Sequence, residues 1–359
     1  MLGRCALVFA LLLTTYASLR PFAWSAARGD PLVFLLHPKL ASAGLWDFTL
    51  NVFGYMPLGF FGVFAVAQAR RYRCALIVLL GCIAYSVLME TLQNYLPGRT
   101  PSAMDVIANT GGAVLGVLAG LFVSELLKGY GGLATVRDRL VQPGLAGAVG
   151  VVLMAAWLVG LLAPRTLLYA SGDLRVILNV APGPPLMRQT YAVIEAALAG
   201  MNLFGVALLL RLLLRHQAPF LPLFAGAVVC SFAARSIGFG MFWTAPAAFD
   251  WLTEGAKAGL VLGLALAPVA RCLPRQAARV TATVVLAAAA VGVNLAPPDP
   301  ATWRVPRPTR QQELAPVSAV ARTTAALWPF AAIGWIVWPR SRLREAAAAP
   351  RREKAASHT

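Results

Sequence analysis

The stretch Ser102-Ala-Met-Asp105-Val-Ile-Ala-Asn109-Thr-Gly-Gly112-Ala-Val-Leu-Gly116-Val-Leu-Ala-Gly120-Leu-Phe-Val123 decides the fold. Between Asp105 and Glu125 it carries no charged side chain. As a helix, that interval is roughly 29 Å long, close to the hydrocarbon thickness of a bilayer. A helix on the surface of a soluble protein needs a charged face, and this one has none. Asp105, Asn109 and Gly112 fall at i, i+4 and i+7, so one face collects what polarity there is. Gly112, Gly116 and Gly120 form a small-residue stripe suited to close packing against another helix. Ser102-x-x-Asp105 has the spacing of a capping box at the helix start.

Nine further apolar runs resemble it. The ten candidate spans lie near 3–19, 46–67, 74–94, 105–127, 144–163, 190–210, 219–240, 252–270, 280–296 and 324–338. Of the 359 residues, 59% are hydrophobic and only 13% charged, about half the charged share of a soluble domain. A soluble enzyme, a disordered chain and a disulfide-rich secreted module are excluded. The expected fold is all-α, a polytopic transmembrane bundle of about 10 helices. The first span also fits a signal peptide, with Arg4 before a short apolar core and small residues around Ser25 and Ala27; the retained helix is preferred.

The net charge of +17 does not point to nucleic acid, because the basic residues sit between the apolar runs. With the N-terminus inside, the inner segments hold eighteen Lys and Arg and the outer ones eleven. Loop 68–73 holds three arginines, loop 241–249 none. Both termini are therefore expected on the cytoplasmic side of an inner membrane. Cys5, Cys74, Cys82, Cys230 and Cys272 form no CxxC pair and read as small buried hydrophobes. His37, His216 and His358 have no ligand spacing, so neither a metal nor another cofactor is expected. The expected organisation is a transmembrane domain over 1–127, a cytoplasmic linker over 128–143, a second transmembrane half over 144–275, a terminal pair of spans over 276–339 and a basic cytoplasmic tail over 340–359.

The polar residues of the first third form an ordered set. Asp47 and Asn51 open the second span, followed by Gly54, Tyr55, Pro57, Leu58, Gly59 and Phe60. Ser86, Glu90 and Gln93 share one face of the third. Pro97, Arg99 and Ser102 lie in the connection, and Asp105 and Asn109 open the fourth. So short a connection makes an antiparallel hairpin, with Glu90 and Gln93 facing Asp105 and Arg99 above them. The expected product is a polar cluster of Asp47, Asn51, Tyr55, Glu90, Gln93, Arg99, Ser102, Asp105 and Asn109 at the outer boundary. Buried charge costs roughly 2.5–3.5 kcal/mol per group on insertion scales, so such residues are functional candidates by default. The plainer reading is that Glu90 pairs with Arg99 while Ser102 and Asp105 cap the fourth helix. Tyr55 read alone is an interfacial aromatic, and Pro57 a kink.

Read together, the pattern NxxGYxPLGF, then SxxxExxQ, then PxRxxSxxDxxxNxxGxxxG resembles the VanZ-like family of bacterial membrane proteins over about residues 5–127. The resemblance implies a protein of the cell envelope and a link with antibiotic resistance of the glycopeptide (teicoplanin) type. It implies no reaction. The long C-terminal extension departs from the family's small four- or five-helix members.

That extension contains echoes of the first third. Asn51-Val-Phe-Gly54 recurs as Asn202-Leu-Phe-Gly205, and a shift of 145 aligns Ser86 with Ser231, Pro101 with Pro246 and Asp105 with Asp250. Glu90 then meets Arg235 and Asn109 meets Glu254. Either the chain carries a degenerate parallel 4+4 repeat, or Arg235, Glu254 and Lys257 simply pair within the bundle.

Function is expected to be non-enzymatic: binding of an amphipathic ligand at the outer leaflet, with membrane lipid, a lipid-linked cell-wall precursor or a glycopeptide as partner. One alternative is a membrane-embedded enzyme using Glu90 and Asp105 as acid and base, although no nucleophile, metal set or phosphate loop accompanies them. Others are a transporter or flippase, and an assembly factor that binds partner helices through its glycine faces.

Overall fold

The computed structural model describes all residues except 28, 36–43, 67–70, 131, 164–166, 179, 181–186, 244, 297–313 and 339–359. The basic tail at 340–359 and Arg70 of the expected inner loop lie outside the described residues. Two compact units divide the chain, Met1–Arg137 and Asp138–Thr359. Among the described residues the only extended pairing is a single antiparallel bridge, Val141 to Leu214. The chain is an all-helical bundle, and nine of its described helices are long and apolar enough to cross a membrane.

The first unit contains α1 (Leu2–Leu19), α2 (Leu45–Ala65), α3 (Arg71–Gln93) and α4 (Ala103–Leu126), and ends within α5 (Gly132–Leu140). Its closest contact is α2 against α4. A Cβ added at Gly112 would fall on the Val52 carbonyl oxygen, and one at Gly116 on that of Met56. One added at Gly59 on α2 would fall on the carbonyl of Ala113. Only glycine lets the two backbones approach this far, and no hydrophobic force acts between helices already in lipid. Tyr55, Leu58, Val63, Val78, Cys82, Ala113 and Val117 form the core beside this contact, with Ala10 of α1.

The second unit contains α6 (Gly144–Gly160), the short α7 (Arg175–Leu178), α8 (Arg188–Leu213), α9 (Phe220–Phe242), α10 (Glu254–Cys272), α11 (Arg275–Leu295) and α12 (Ala315–Val337). Here α8 is central. Of its most apolar window 72% is buried, against 22–44% for the other long helices. The sequence explains this, because Leu203 to Leu210 leaves α8 apolar on every side. α10 lies on α8 through a second glycine stripe, Gly255, Gly259 and Gly263, which meets Ala192, Ala196 and Leu203.

Two of the ten expected spans differ in length. The fifth, α6, has 17 residues and is about 25 Å long, at the lower limit for crossing a bilayer. The tenth, α12, begins at Ala315 rather than near 324. Pro316 suits its first turn, and Arg322 and Thr323 lie within the helix where the sequence suggests an interruption. Of the five cysteines, Cys82 is buried, but Cys230 and Cys272 are exposed on the helix surfaces.

Candidate functional site

The site is built from the end of α3 and the beginnings of α2 and α4. Ser102 is the N-cap of α4, its hydroxyl accepting from the Met104 N–H at 3.1 Å. In a capping box the acidic residue three places on would take the N–H of the cap residue. Here that N–H goes instead to Glu90 Oε2 on α3, at 3.0 Å. A carboxylate at this point also meets the positive end of the α4 dipole. The Asp105 carboxylate, relieved of that task, accepts a hydrogen bond from the Asn51 side chain on α2. One end of α4 is thus tied to both neighbouring helices.

Arg99 does not close a simple pair with Glu90. Its guanidinium donates to the Ala17 carbonyl at 2.7 Å and to that of Arg20 at 3.4 Å, covering the C-terminus of α1. A cation is favourable at that end of a helix. Glu90, Asp47 and Asp105 all lie within its electrostatic reach. Burial draws the Arg99 pKa below its ordinary value, and these three carboxylates oppose that shift.

Exposure falls from the mouth of the cluster inward. Asp47 is exposed, Asn51, Arg99, Ser102 and Asp105 are partly buried, and Glu90 is 2% exposed. Gln93 and Asn94 are buried beside it in sequence. Beneath Glu90 lie buried Ser86 and Asn109, joined by Asn109 Nδ2 donating to Ser86 Oγ at 2.9 Å. Tyr55 completes the column. Its hydroxyl lies beside Ser86 and makes no hydrogen bond of ordinary geometry among the described residues. Asn109 Oδ1 and Asn94 Nδ2 are likewise buried without a hydrogen-bond partner among the described residues. At 1.5 Å per residue, Asn109 lies about 9 Å, Ser86 about 10 Å and Tyr55 about 15 Å from the nearest helix end.

All nine residues of the expected cluster therefore fall in the first unit, around one end of α2, α3 and α4. Tyr55 stands at the floor of the cluster rather than at an interface, and Gly112, Gly116 and Gly120 hold the α2–α4 wall. The sequence reading missed Asn94 as a buried member and missed Tyr85, whose hydroxyl meets Thr15 Oγ1 at 2.7 Å.

In the second unit the expected grouping of Arg235 with Glu254 and Lys257 does not form, since those two side chains are exposed. Arg235 is buried on α9 and donates to the Ala163 carbonyl at 2.5 Å, with its guanidinium 4.9 Å above the Phe239 ring. Its acidic neighbour is Glu195 of α8, which is buried and accepts from Thr253 Oγ1 at 2.7 Å. Glu195 was legible as the single acid inside the apolar run of α8, a signal in its own right.

No curated protein and no solved structure matches this chain. Residues 6–124 match the family described as VanZ/LLP1, so the first unit of this multi-pass membrane protein is a VanZ-like domain.

Proposed function

We propose that the VanZ-like unit binds the polar head of an amphipathic, lipid-linked molecule at the end of α2–α4 that the charge pattern assigns to the outer leaflet. The observation that carries this is the polar column itself. It opens on carboxylates and ends on two buried polar atoms, Tyr55 Oη and Asn109 Oδ1, without hydrogen-bond partners among the described residues. Buried polar atoms in native proteins are nearly always satisfied, so a set of them under one mouth fits a site completed by something else. Glu90, Asp105 and Asp47 favour a head rich in donors, such as sugar hydroxyls or an ammonium group. A lipid-linked cell-wall precursor and a glycopeptide both carry such groups.

The test uses purified full-length protein in detergent, with teicoplanin and a lipid-linked disaccharide as probes. Affinity is measured for wild type, Glu90→Gln and Asp105→Asn, beside membrane abundance. The expected result is at least a tenfold loss of affinity for Glu90→Gln at unchanged abundance. Undiminished binding, or loss of abundance in step with binding, would overturn the reading.

A second reading, transport, is favoured by one observation in the second unit. The described residues 161–163 and 167–174, between α6 and α7, are not helical, yet Leu168 to Ser171 are buried. Tyr169 Oη meets Ser231 Oγ at 2.9 Å and Ser171 Oγ donates to Asn202 Oδ1 at 2.9 Å, near the middles of α9 and α8. Non-helical backbone at such a depth is tolerated where it is enclosed by protein or lines a polar path. Translocation of a fluorescent lipid in proteoliposomes tests it: a rate equal to that of protein-free vesicles would end the idea.

A further inference from the structure

At one end of the second unit the last turns of α8 and α10 and the first turns of α11 bring arginines together. Arg211 donates through Nε to the Arg271 carbonyl at 3.3 Å, and Arg275 through Nη2 to the Leu214 carbonyl at 3.1 Å. These bonds hold the Arg211 and Arg275 side chains, and Arg211 lies within electrostatic reach of both Arg271 and Arg275. Arg215 donates to the backbone oxygen of Asp138, and Arg279 to that of Ile336 at 2.7 Å. Among the described residues none of the five is ion-paired.

The arrangement is costly as it stands. Like charges held together repel, and Arg275 in the first turn of α11 also sits at the positive end of a helix dipole. The carbonyl bonds hold the Arg211 and Arg275 side chains, and the negative helix ends of α8 and α10 offset part of the charge of Arg211 and Arg271, but no carboxylate among the described residues pairs with the cluster. Arg211 and Arg275 each use one of five guanidinium N–H donors on a carbonyl. The remaining donors suit a phosphate, which accepts from paired guanidinium groups with two parallel bonds.

What surrounds the cluster selects the source of that phosphate. Val269 on α10 and Val280 and Val284 on α11 are 46%, 56% and 59% exposed, within about two and a half turns of Arg271 and Arg275. A free phosphate has no use for these side chains, whereas a phospholipid would lay its acyl chains on them. We infer that Arg211, Arg271 and Arg275 form a binding site for the headgroup of an anionic phospholipid, seated between the ends of α8, α10 and α11. This site is separate from the polar column of the VanZ-like unit and does not depend on the function proposed for it.

The test is native mass spectrometry of the purified full chain, titrated with dioleoyl phosphatidylglycerol, with phosphatidylcholine of the same acyl chains, or with inorganic phosphate. Wild type should retain phosphatidylglycerol in preference to phosphatidylcholine. At about a fivefold effect per arginine, Arg211→Gln with Arg275→Gln should weaken that preference about 25-fold. Arg73→Gln, which removes one charge from the other unit, should leave it unchanged. Equal retention of the two lipids by wild type would overturn the site even if the double variant did not fold. So would an undiminished preference in a folded double variant, or inorganic phosphate displacing phosphatidylglycerol at equal concentration.

Discussion

Replacing Gly116 with alanine should separate α2 from α4, whereas the same change at Gly111 should not. The added Cβ at Gly116 would fall on the Met56 carbonyl and close to the Phe60 nitrogen, both rigid backbone atoms that cannot rotate away. At Gly111 it would meet nothing within 4 Å. Both positions lie on the same helix, so the gain in helix propensity, up to about 1 kcal/mol, is common to both and cancels in the comparison. What remains is overpacking, usually about 1–3 kcal/mol and here near the upper end because the obstacle is backbone. Gly116→Ala should thus be destabilised by about 2 kcal/mol net, and Gly111→Ala neutral or stabilised by up to about 1 kcal/mol. Reversible unfolding in mixed micelles, with the two variants side by side, measures the difference of about 3 kcal/mol. If the variants agree within about 0.5 kcal/mol, the close α2–α4 contact is wrong, and with it the geometry that brings Asn51 to Asp105.

Three further outcomes follow from named contacts. Ser102→Ala removes the hydroxyl that caps α4 and should cost about 1 kcal/mol, but Ser102→Gly only a few tenths, because glycine leaves the first N–H groups of the helix open to water, while the backbone bond to Glu90 is kept in both; thermal denaturation of the two variants checks this. Glu90→Ala leaves the Ser102 N–H without its acceptor and should cost about 1–3 kcal/mol, whereas Glu90→Gln keeps an acceptor and should cost less; equal losses in an unfolding titration would refute the contact. In the second unit, Arg235→Met strips the Ala163 carbonyl of its donor and leaves Glu195 buried without that cation, at about 3–5 kcal/mol. Adding Glu195→Gln should recover part of this loss, and strict additivity in the double-mutant cycle would show that the two residues are not coupled.

Much of this was legible in the sequence because lipid imposes few solutions. An uncharged run of twenty residues has one conformation available in a bilayer, so the positions of the helices followed from composition alone. The cluster of the first unit was legible for a related reason. Ser86, Glu90 and Gln93 repeat at helical spacing within an apolar run, where polar residues carry a penalty and need partners. Which partners they take was not legible. The N–H of Ser102 is contested between Asp105, three residues on in the same helix, and Glu90 on the neighbouring one, and only the packing of α3 against α4 settles it for Glu90. Arg99 likewise was read against nearby carboxylates, yet the carbonyls at the end of α1, some eighty residues earlier, hold it. The length of α6 was hidden because Leu161, Leu162 and Ala163 are as apolar as the helix before them. The backbone leaves the helix there while the composition does not change.

The two units meet the same physical problem in ways that argue against a simple copy at the offset of 145. In each, a glycine-striped helix lies on a neighbour and its N-cap residue is bound by a buried carboxylate: Ser102 by Glu90, and Thr253 by Glu195. The glycine stripes themselves correspond at an offset of 143, from Gly112, Gly116 and Gly120 to Gly255, Gly259 and Gly263. The carboxylates do not correspond. Glu195 lies on the helix against which the glycine stripe packs, whereas Glu90 lies on the third helix, α3, where the second unit has Ala233 at the offset of 143 and Arg235 at that of 145. A buried helix N-terminus carries unpaired N–H groups and a positive dipole end, so a carboxylate from any adjacent helix satisfies it. Recurrence of the clasp therefore needs no shared ancestry of the residues that make it. The position of the acid does decide what else the unit can do. With Glu90 on the third helix, the α2–α4 contact is free to carry Asn51, Tyr55 and Asn109 into a column that opens at the helix ends. With Glu195 on the central helix, the charge is drawn toward Arg235 and the chain after α6, and the polar groups of the second unit are spent in holding its interior together.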